Sequence, residues 1–190
     1  MLRAGLVSEH TERLKVNRDA IEAVAQLAMD RHLKVSAAES LTGGRVQARL
    51  TAVSGASQWF QGGITVYQVA EKVKQLGVDA QHAVACNGVS ERVAQQLASG
   101  ACELFSADLA VATTGYAEAD PAAGIPTACA WLAVAYRDPA RANPDACFQL
   151  TSIFEETSGT RNEAQAHFAD RAISLLHQVM AQIPPATPTM

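Results

Sequence analysis

Hydrophobic and polar positions alternate along the chain in two patterns that predict helices and strands in turn. Apolar residues at helical spacing predict amphipathic helices over Arg18–Arg31 and Val89–Phe105. Further helices are predicted over Arg45–Val53, Glu71–Leu76 and Gly159–Ile183. Short apolar runs between turn residues predict strands. The first of these strands begins at Lys34, and the others cover Ile64–Tyr67, Asp108–Thr113, Ala128–Tyr136 and Cys147–Phe154.

Helix ends and one buried helix face can also be predicted. Asn17 and Ser90 are predicted N-caps, because their side chains can accept a hydrogen bond from a free backbone N–H. Gly77 is predicted to end a short helix, since glycine adopts a positive φ with little steric penalty. The residues expected to face inward on the long helix are Val93, Leu97, Ala101 and Leu104.

Helices alternate with strands, and one late hairpin interrupts this order. The pattern predicts a single α/β domain, in which helices cover both faces of a mixed sheet in an α/β/α layering. The domain core is expected to cover about residues 17–183, with a lead-in over 1–16, a disordered tail over 184–190 and a hairpin connection over 137–146. Thr114–Thr127 is predicted to be a loop, because it contains several glycines and prolines.

Composition narrows the function classes. The chain has 190 residues, 48% hydrophobic and 18% charged, which is typical of a soluble globular domain. Its 15 Lys and Arg against 19 Asp and Glu give a net charge of −4, and no basic patch stands out. Only 5% of residues are aromatic. A nucleic-acid surface is therefore not expected.

Cysteine usage and hydropathy indicate a cytoplasmic protein. The four cysteines form no C-x-x-C pair and have no histidine at metal-binding spacing, so neither a metal site nor a disulfide framework is expected. No apolar window approaches the ~18 residues that a membrane-spanning helix needs. Residues 1–15 lack the apolar core of a secretory signal.

The stretch Lys34–Gly44 carries the strongest candidate chemistry. A predicted buried strand runs into a turn that contains Ser40, Thr42 and a Gly-Gly pair, and a helix follows. A hydroxyl at such a turn is rigidly held, and the N–H groups that open the helix can stabilise an oxyanion or bind a phosphate. Alternatively, Ser40 or Thr42 only caps the helix.

A lysine can activate such a serine without histidine. Lys72 is a candidate base if burial lowers its pKa towards neutrality, and Tyr67 could relay the proton or orient the lysine. Glu39 could orient Lys72, or it could lie in a hydrogen-bonded turn. The same pattern is compatible with a solvated surface lysine, so the spacing alone leaves both interpretations open.

Several motifs together resemble the CinA C-terminal domain family, the nicotinamide-nucleotide amidases. Residues 38–44 read A-E-S-L-T-G-G, where the family has A-E-S-C-T-G-G. The similarity continues through Ser54–Tyr67, Leu76–Val78 and Thr114-Gly115, with a lysine at position 72, and it covers roughly residues 17–180.

The resemblance implies an activity and a set of site residues. Family members hydrolyse the amide of nicotinamide mononucleotide to nicotinate mononucleotide and ammonia, without metal or cofactor, and they suggest a homodimer. Ser40 maps to the nucleophile, Lys72 to the base, and Tyr67 to the tyrosine beside them. Backbone N–H groups of Thr42–Gly44 are expected to stabilise the oxyanion or hold substrate. The expected substrate-binding residues are Glu39, Thr42, Gly43, Gly44, Thr114, Gly115, Tyr116 and Arg161.

This chain departs from the family where substrate is expected to bind. The loop after Thr114-Gly115 has lost its Gly-Pro character and gained Glu118 and Asp120, which should repel a phosphate. Thr160 replaces an Asp, Gln165 stands where a second Arg is expected, and Val69-Ala70 replace Asn and Glu.

Three hypotheses fit these departures. The chain is an active nicotinamide-nucleotide amidase with a modified pocket, a Ser–Lys amidase for another amide, such as one that lacks a phosphate, or a non-catalytic binding or regulatory protein. Tyr116 could stack on an aromatic ring or lie on a surface loop, and Arg161 could bind an anion or pair with a nearby acid.

Overall fold

The computed structural model describes residues 19–138 and 148–184, which form one mixed β-sheet with helices on both faces. The strands are β1 (Val35–Glu39), β2 (Phe60–Thr65), β3 (Leu109–Tyr116), β4 (Ala128–Arg137) and β5 (Phe148–Thr157). The helices are α1 (19–30), α2 (Arg45–Thr51), α3 (Val69–Leu76), α4 (Ala80–Ala85), α5 (Glu91–Phe105) and α6 (Arg161–Gln182). Single 3₁₀ turns lie at Ala56–Gln58 and Pro121–Ala123.

The strand order is β2-β1-β3-β4-β5. β1 runs parallel to both β2 and β3, whereas β4 and β5 are antiparallel to their neighbours. The predicted mixed sheet is confirmed. Because β1 and β3 are adjacent and parallel, their carboxyl ends meet at one edge of the sheet, and this edge brings Ser40 close to Thr114.

Alternation along the strands divides the core into two layers. Val35 and Ala37 of β1 face a cluster formed with α1, α2 and α6, whereas Ala38 faces a second cluster formed with α5. Many of the second cluster's residues are alanines, which let α5 lie close to the sheet. Gly100 has a related role, because a Cβ there would lie 2.2 Å from the Leu76 carbonyl oxygen. This close contact packs α3, the helix that carries Lys72, against α5.

Most of the predicted helix ends are confirmed. The Ser90 hydroxyl accepts a hydrogen bond from the Val93 N–H, and Gly77 ends α3 with φ 66°. Thr160 and Glu163 form a capping box at the start of α6, since each side chain accepts a hydrogen bond from the other's backbone N–H. Asn17, the lead-in 1–16, most of the connection 137–146, Cys147 and the tail beyond residue 184 lie outside the described residues.

Several details of the prediction were wrong. Leu104 is 48% exposed, because Phe105 occupies the inward position of the last turn of α5. β2 ends at Thr65, so Tyr67 lies beyond the strand. β3 continues to Tyr116, because it pairs with β4 along its whole length, so Thr114 and Gly115 belong to the strand. Helix α4, whose N-terminus is capped by the Asp79 carboxylate, was not predicted.

No helix within residues 19–138 and 148–184 combines the length and the apolar character that a bilayer span requires.

Candidate active site

Ser40 lies immediately after β1, in the turn that leads into α2. Gly43 and Gly44 have φ values of 61° and 93°, which few residues other than glycine adopt, and this conformation makes the sharp turn possible. Ser40 is only 6% exposed, yet it lines a cavity at the carboxyl ends of β1 and β3. The turn therefore holds a hydroxyl group rigidly at the wall of a cavity.

The Lys72 side chain reaches this hydroxyl from α3. Its Nζ donates a hydrogen bond to Ser40 Oγ at 2.6 Å and a longer one to Thr114 Oγ1 at 3.4 Å. The Thr114 hydroxyl donates to the Gly88 carbonyl oxygen at 2.6 Å, so its oxygen is free to accept from Lys72. Ser40, Lys72 and Thr114, which are far apart in the sequence, therefore form one buried hydrogen-bonded cluster.

Burial changes the acidity of Lys72. The residue is 2% exposed, and this desolvation lowers its pKa from the ordinary 10.5 to about 8, against a small opposing effect of Cys86. At pH 7 the ammonium is therefore still the major form, and about a tenth of Lys72 is neutral and able to act as a base. A neutral amine 2.6 Å from a hydroxyl can accept its proton.

Glu39 does not orient Lys72; it stabilises the start of α2. Its fully buried carboxylate accepts hydrogen bonds from the Thr42 hydroxyl and from the N–H groups of Gly44, Val46 and Gln47. A carboxylate at a helix N-terminus also interacts favourably with the helix dipole. The sequence left open whether Glu39 orients Lys72 or lies in a hydrogen-bonded turn, and the structure shows the hydrogen-bonded turn. Glu39 does not line the cavity, so its predicted contact with substrate is not supported.

Replacing Glu39 with Ala should lower the free energy of unfolding by about 3 kcal/mol, because the buried Val46 N–H and the part-buried N–H groups of Gly44 and Gln47 lose their acceptor. Urea unfolding of both proteins measures the change. The matched control is Glu156→Ala, which removes an exposed carboxylate from β5 and should change the unfolding free energy by less than about 0.5 kcal/mol. A Glu39→Ala variant as stable as the wild type would contradict this structural role.

The predicted oxyanion donors at Gly43 and Gly44 are already engaged within the protein. The Gly43 N–H donates to the Ser40 carbonyl oxygen at 3.2 Å, and the Gly44 N–H donates to Glu39. Thr42 is buried, and its hydroxyl lies 2.7 Å from that of Thr113 on β3. None of these three residues lines the cavity, and their assignment to substrate binding stays a prediction. The N–H of Leu41, which lines the cavity, has no acceptor among the described residues.

Tyr67 lies on the cavity wall, and its hydroxyl makes no hydrogen bond to Ser40 or Lys72 among the described residues. Its hydroxyl accepts a hydrogen bond from Arg161 Nη2 at 2.6 Å, and the residue is 54% exposed. The same guanidinium donates through Nη1 to Glu118 Oε1 at 2.7 Å. The structure therefore shows hydrogen bonds that link Tyr67, Arg161 and Glu118, and it does not show the predicted proton relay between Tyr67 and Lys72. Of the two roles left open for Arg161, the structure shows pairing with an acid.

The cavity has a volume of about 360 Å³, which suits a small molecule. The predicted residues that line it are Ser40, Tyr67, Lys72, Gly115, Tyr116 and Arg161. Tyr116 lies at the end of β3, and its hydroxyl accepts a hydrogen bond from Asn87 Nδ2 at 3.2 Å. Gly115 is required by packing, because a Cβ there would lie 2.1 Å from the Cys129 carbonyl oxygen.

Two residues of the site were missed by the sequence analysis. Asn87 contacts Tyr116, and the Asn87-Gly88 turn places the carbonyl that orients Thr114; this Asn-Gly dipeptide was the available signal. Gln165 of α6 donates to the Leu41 carbonyl oxygen at 2.7 Å and so holds the nucleophile turn. The sequence had identified Gln165 only as a lost guanidinium.

Comparison with known proteins identifies one family model and several relatives that match this chain. The model of one protein family, the CinA C-terminal domain, matches residues 17–180. A CinA-like protein of Chlorobium limicola is 36% identical over 155 residues, which cover 80% of this chain and 34% of the relative. A CinA-like protein of Chlorobaculum tepidum is 44% identical over 105 residues, which cover 55% of this chain and 24% of the relative. The chain spans about a third or less of the length of these relatives.

Solved structures share the fold. The competence damage-inducible protein A (ComA) from Klebsiella pneumoniae superposes with a TM-score of 0.79 at 25% identity, over 88% of this chain and 99% of that chain. A competence-damaged protein (CinA) superfamily protein from Escherichia coli superposes with a TM-score of 0.74 at 26% identity, over 85% and 90% of the two chains. The names of these proteins state a family and not a reaction.

Proposed function

The chain belongs to the CinA C-terminal domain family, and from this premise we propose that it is a Ser–Lys amidohydrolase of the nicotinamide-nucleotide amidase type. Such an enzyme hydrolyses the carboxamide of nicotinamide mononucleotide to nicotinate mononucleotide and ammonia. The observation that carries the proposal is the 2.6 Å hydrogen bond between a buried lysine of lowered pKa and a serine on the cavity wall.

The proposed reaction begins with attack on the amide. Ser40 Oγ attacks the carboxamide carbon while neutral Lys72 takes the hydroxyl proton. The carbonyl oxygen becomes an oxyanion, for which the Leu41 N–H is a candidate donor because it belongs to the residue after the nucleophile. The Lys72 ammonium then gives its proton to the amide nitrogen, the C–N bond breaks, and ammonia leaves.

The second half of the reaction releases the acid. An ester now joins Ser40 to the substrate's acyl group, and neutral Lys72 takes a proton from a water that attacks the ester carbon. When the tetrahedral intermediate collapses, Lys72 returns the proton to Ser40 Oγ, and the carboxylic acid leaves and loses its remaining proton to solvent. Thr114 holds Lys72 in place but makes no bond to substrate in this sequence. A homodimer and a cytoplasmic location stay predictions.

The direct test is ammonia release from nicotinamide mononucleotide by the purified protein, with Ser40→Ala measured beside it. Release by the wild type that stops in the variant supports the proposal. If the wild-type protein is folded and releases no ammonia from nicotinamide mononucleotide or from unphosphorylated carboxamides, the amidase proposal is wrong. The non-catalytic binding protein of the same fold would then be the better hypothesis.

Activity should rise with pH. Lys72 with a pKa of about 8 is protonated at lower pH and cannot accept the Ser40 proton. We expect kcat/KM to increase about tenfold per pH unit below pH 8, to level off above it, and to reach only about 1% of the plateau at pH 6. Initial rates at constant ionic strength between pH 5.5 and 9.5 give the profile. A flat profile between pH 6 and 8 would exclude Lys72 as the base.

A further inference from the structure

The cavity wall carries more negative than positive side chains when Lys72 is neutral. Among the described residues, those that line the cavity and carry charge are Lys72, Glu118, Asp120 and Arg161. Lys72 must be neutral to act as the base, and the cavity then holds two carboxylates against one guanidinium. In that reactive state the cavity is net negative, and it attracts cations and repels anions.

The guanidinium of Arg161 is not available to a new anion without rearrangement. Nη1 donates to Glu118 and Nη2 donates to Tyr67. Both members of the ion pair are partly exposed, with side-chain exposures of 44% for Arg161 and 59% for Glu118, so separating them costs little. The displaced carboxylate would still lie in the same cavity as Asp120. A phosphate on Arg161 would therefore meet two nearby carboxylates, and this repulsion opposes its binding.

Asp120 is fixed in position. Its carboxylate accepts a hydrogen bond from the Ala123 N–H at 3.2 Å, and its backbone pairs with Ile125. The hydrogen bond favours the conformation in which this carboxylate lies at the cavity wall. Glu118 is held by Arg161, and Ala117 between β3 and Glu118 is buried. Each acid thus has one hydrogen-bond partner that favours its position at the cavity wall.

We propose that the site selects an unphosphorylated, cationic carboxamide, of the N-ribosylpyridinium class, and that Glu118 determines this selectivity. The inference rests on the proposed function for the pyridine carboxamide itself. The pyridinium ring carries a positive charge, and a 5′-phosphate, with a second pKa near 6, adds nearly two negative charges at pH 7. The nucleoside keeps only the cation, which suits the two carboxylates and the rings of Tyr67 and Tyr116 on the wall.

The test measures binding in a background that cannot turn over substrate. In Ser40→Ala protein, calorimetry at pH 8 and low ionic strength compares nicotinamide riboside with nicotinamide mononucleotide. We expect the riboside to bind at least about tenfold more tightly, and we expect the difference to shrink in 0.5 M salt. Adding Glu118→Gln, which removes the charge and keeps the shape, should reduce the preference at least about fivefold, chiefly through tighter binding of the mononucleotide.

A matched variant controls for the loss of any surface carboxylate. Glu103 is paired with Arg137 at 2.9 Å and lies outside the cavity. Glu103→Gln should leave the ratio of the two affinities unchanged. Asp120→Asn keeps the acceptor for the Ala123 N–H and should shift the ratio in the same direction as Glu118→Gln.

The outcomes separate this inference from the proposed function. Equal or tighter binding of the mononucleotide, binding of neither ligand, or a ratio unaffected by Glu118→Gln overturns the inference. Ammonia release is then measured with Ser40 intact. Release from the mononucleotide with no preference for the riboside leaves the proposed function standing while the inference fails. If the riboside binds selectively but no ammonia is released, the inferred selectivity is supported and the proposed amidase activity is wrong.

Discussion

Replacing Lys72 with Met should abolish ammonia release and at the same time stabilise the protein at pH 7. Loss of the base is expected to lower kcat at least about 10³-fold. The stability gain arises because the wild type buries an ammonium group whose pKa is lowered from 10.5 to about 8. This shift corresponds to a penalty of up to about 3 kcal/mol at neutral pH. Methionine fills a similar volume without a charge, and after loss of the hydrogen bond to Ser40 we expect a net gain of about 1–2 kcal/mol.

The gain should depend on pH in a defined direction. Between about pH 8 and 10.5 the unfolded wild type binds the Lys72 proton while the folded protein has released it, so the wild type's unfolding free energy rises with pH. The Met variant lacks this titration. The stability difference should therefore be full below pH 8 and decline towards pH 10.5.

Urea unfolding at pH 7, 9 and 10 measures the difference between the two proteins. Lys74→Met is the matched control, because Lys74 is an exposed lysine on the same helix. This variant should retain activity and change stability by less than about 0.5 kcal/mol. A Lys72→Met protein that is less stable than the wild type at pH 7 would show that the buried ammonium carries no such penalty.

The sequence predicted the layered α/β fold because its local signals agree with the tertiary structure. Apolar runs and helical spacing alternate, Ser90 caps the start of α5, and the glycine at position 77 ends α3, as predicted. The errors lie where tertiary contacts outweigh local pattern. Leu104 has the right spacing to be buried, but Phe105 packs against the core at that turn. Strand β3 extends through Gly115 because β4 pairs with it there.

The site was predictable to the extent that it depends on residue type and spacing. Ser40 and Lys72 carry the family resemblance, and the structure places them in contact. The partners of Glu39 and Tyr67 were not predictable. Which N–H groups meet Glu39 depends on how α2 leaves the turn, and Tyr67 contacts Arg161, which lies 94 residues away in the chain. Such contacts depend on how the helices, strands and turns are placed relative to one another, and no local sequence pattern encodes this placement.

Replacing Ser40 with Ala should also abolish turnover, but it should move stability in the opposite direction. Without the nucleophile, kcat is expected to fall at least about 10⁴-fold. The buried Lys72 ammonium loses its 2.6 Å acceptor and keeps only Thr114 at 3.4 Å. The pKa of Lys72 should then fall further, and the unfolding free energy at pH 7 should decrease by about 1–2 kcal/mol.

Combining Ser40→Ala with Lys72→Met tests whether one hydrogen bond explains both effects. Once the ammonium is gone, Ser40→Ala removes only a small hydroxyl and should cost less than about 0.5 kcal/mol. The two substitutions should therefore be non-additive in stability by at least about 1 kcal/mol, and the double variant should be no less active than either single one. Unfolding free energies of the four proteins at pH 7 complete the cycle. Additive changes would mean that the Ser40–Lys72 contact does not couple the two residues.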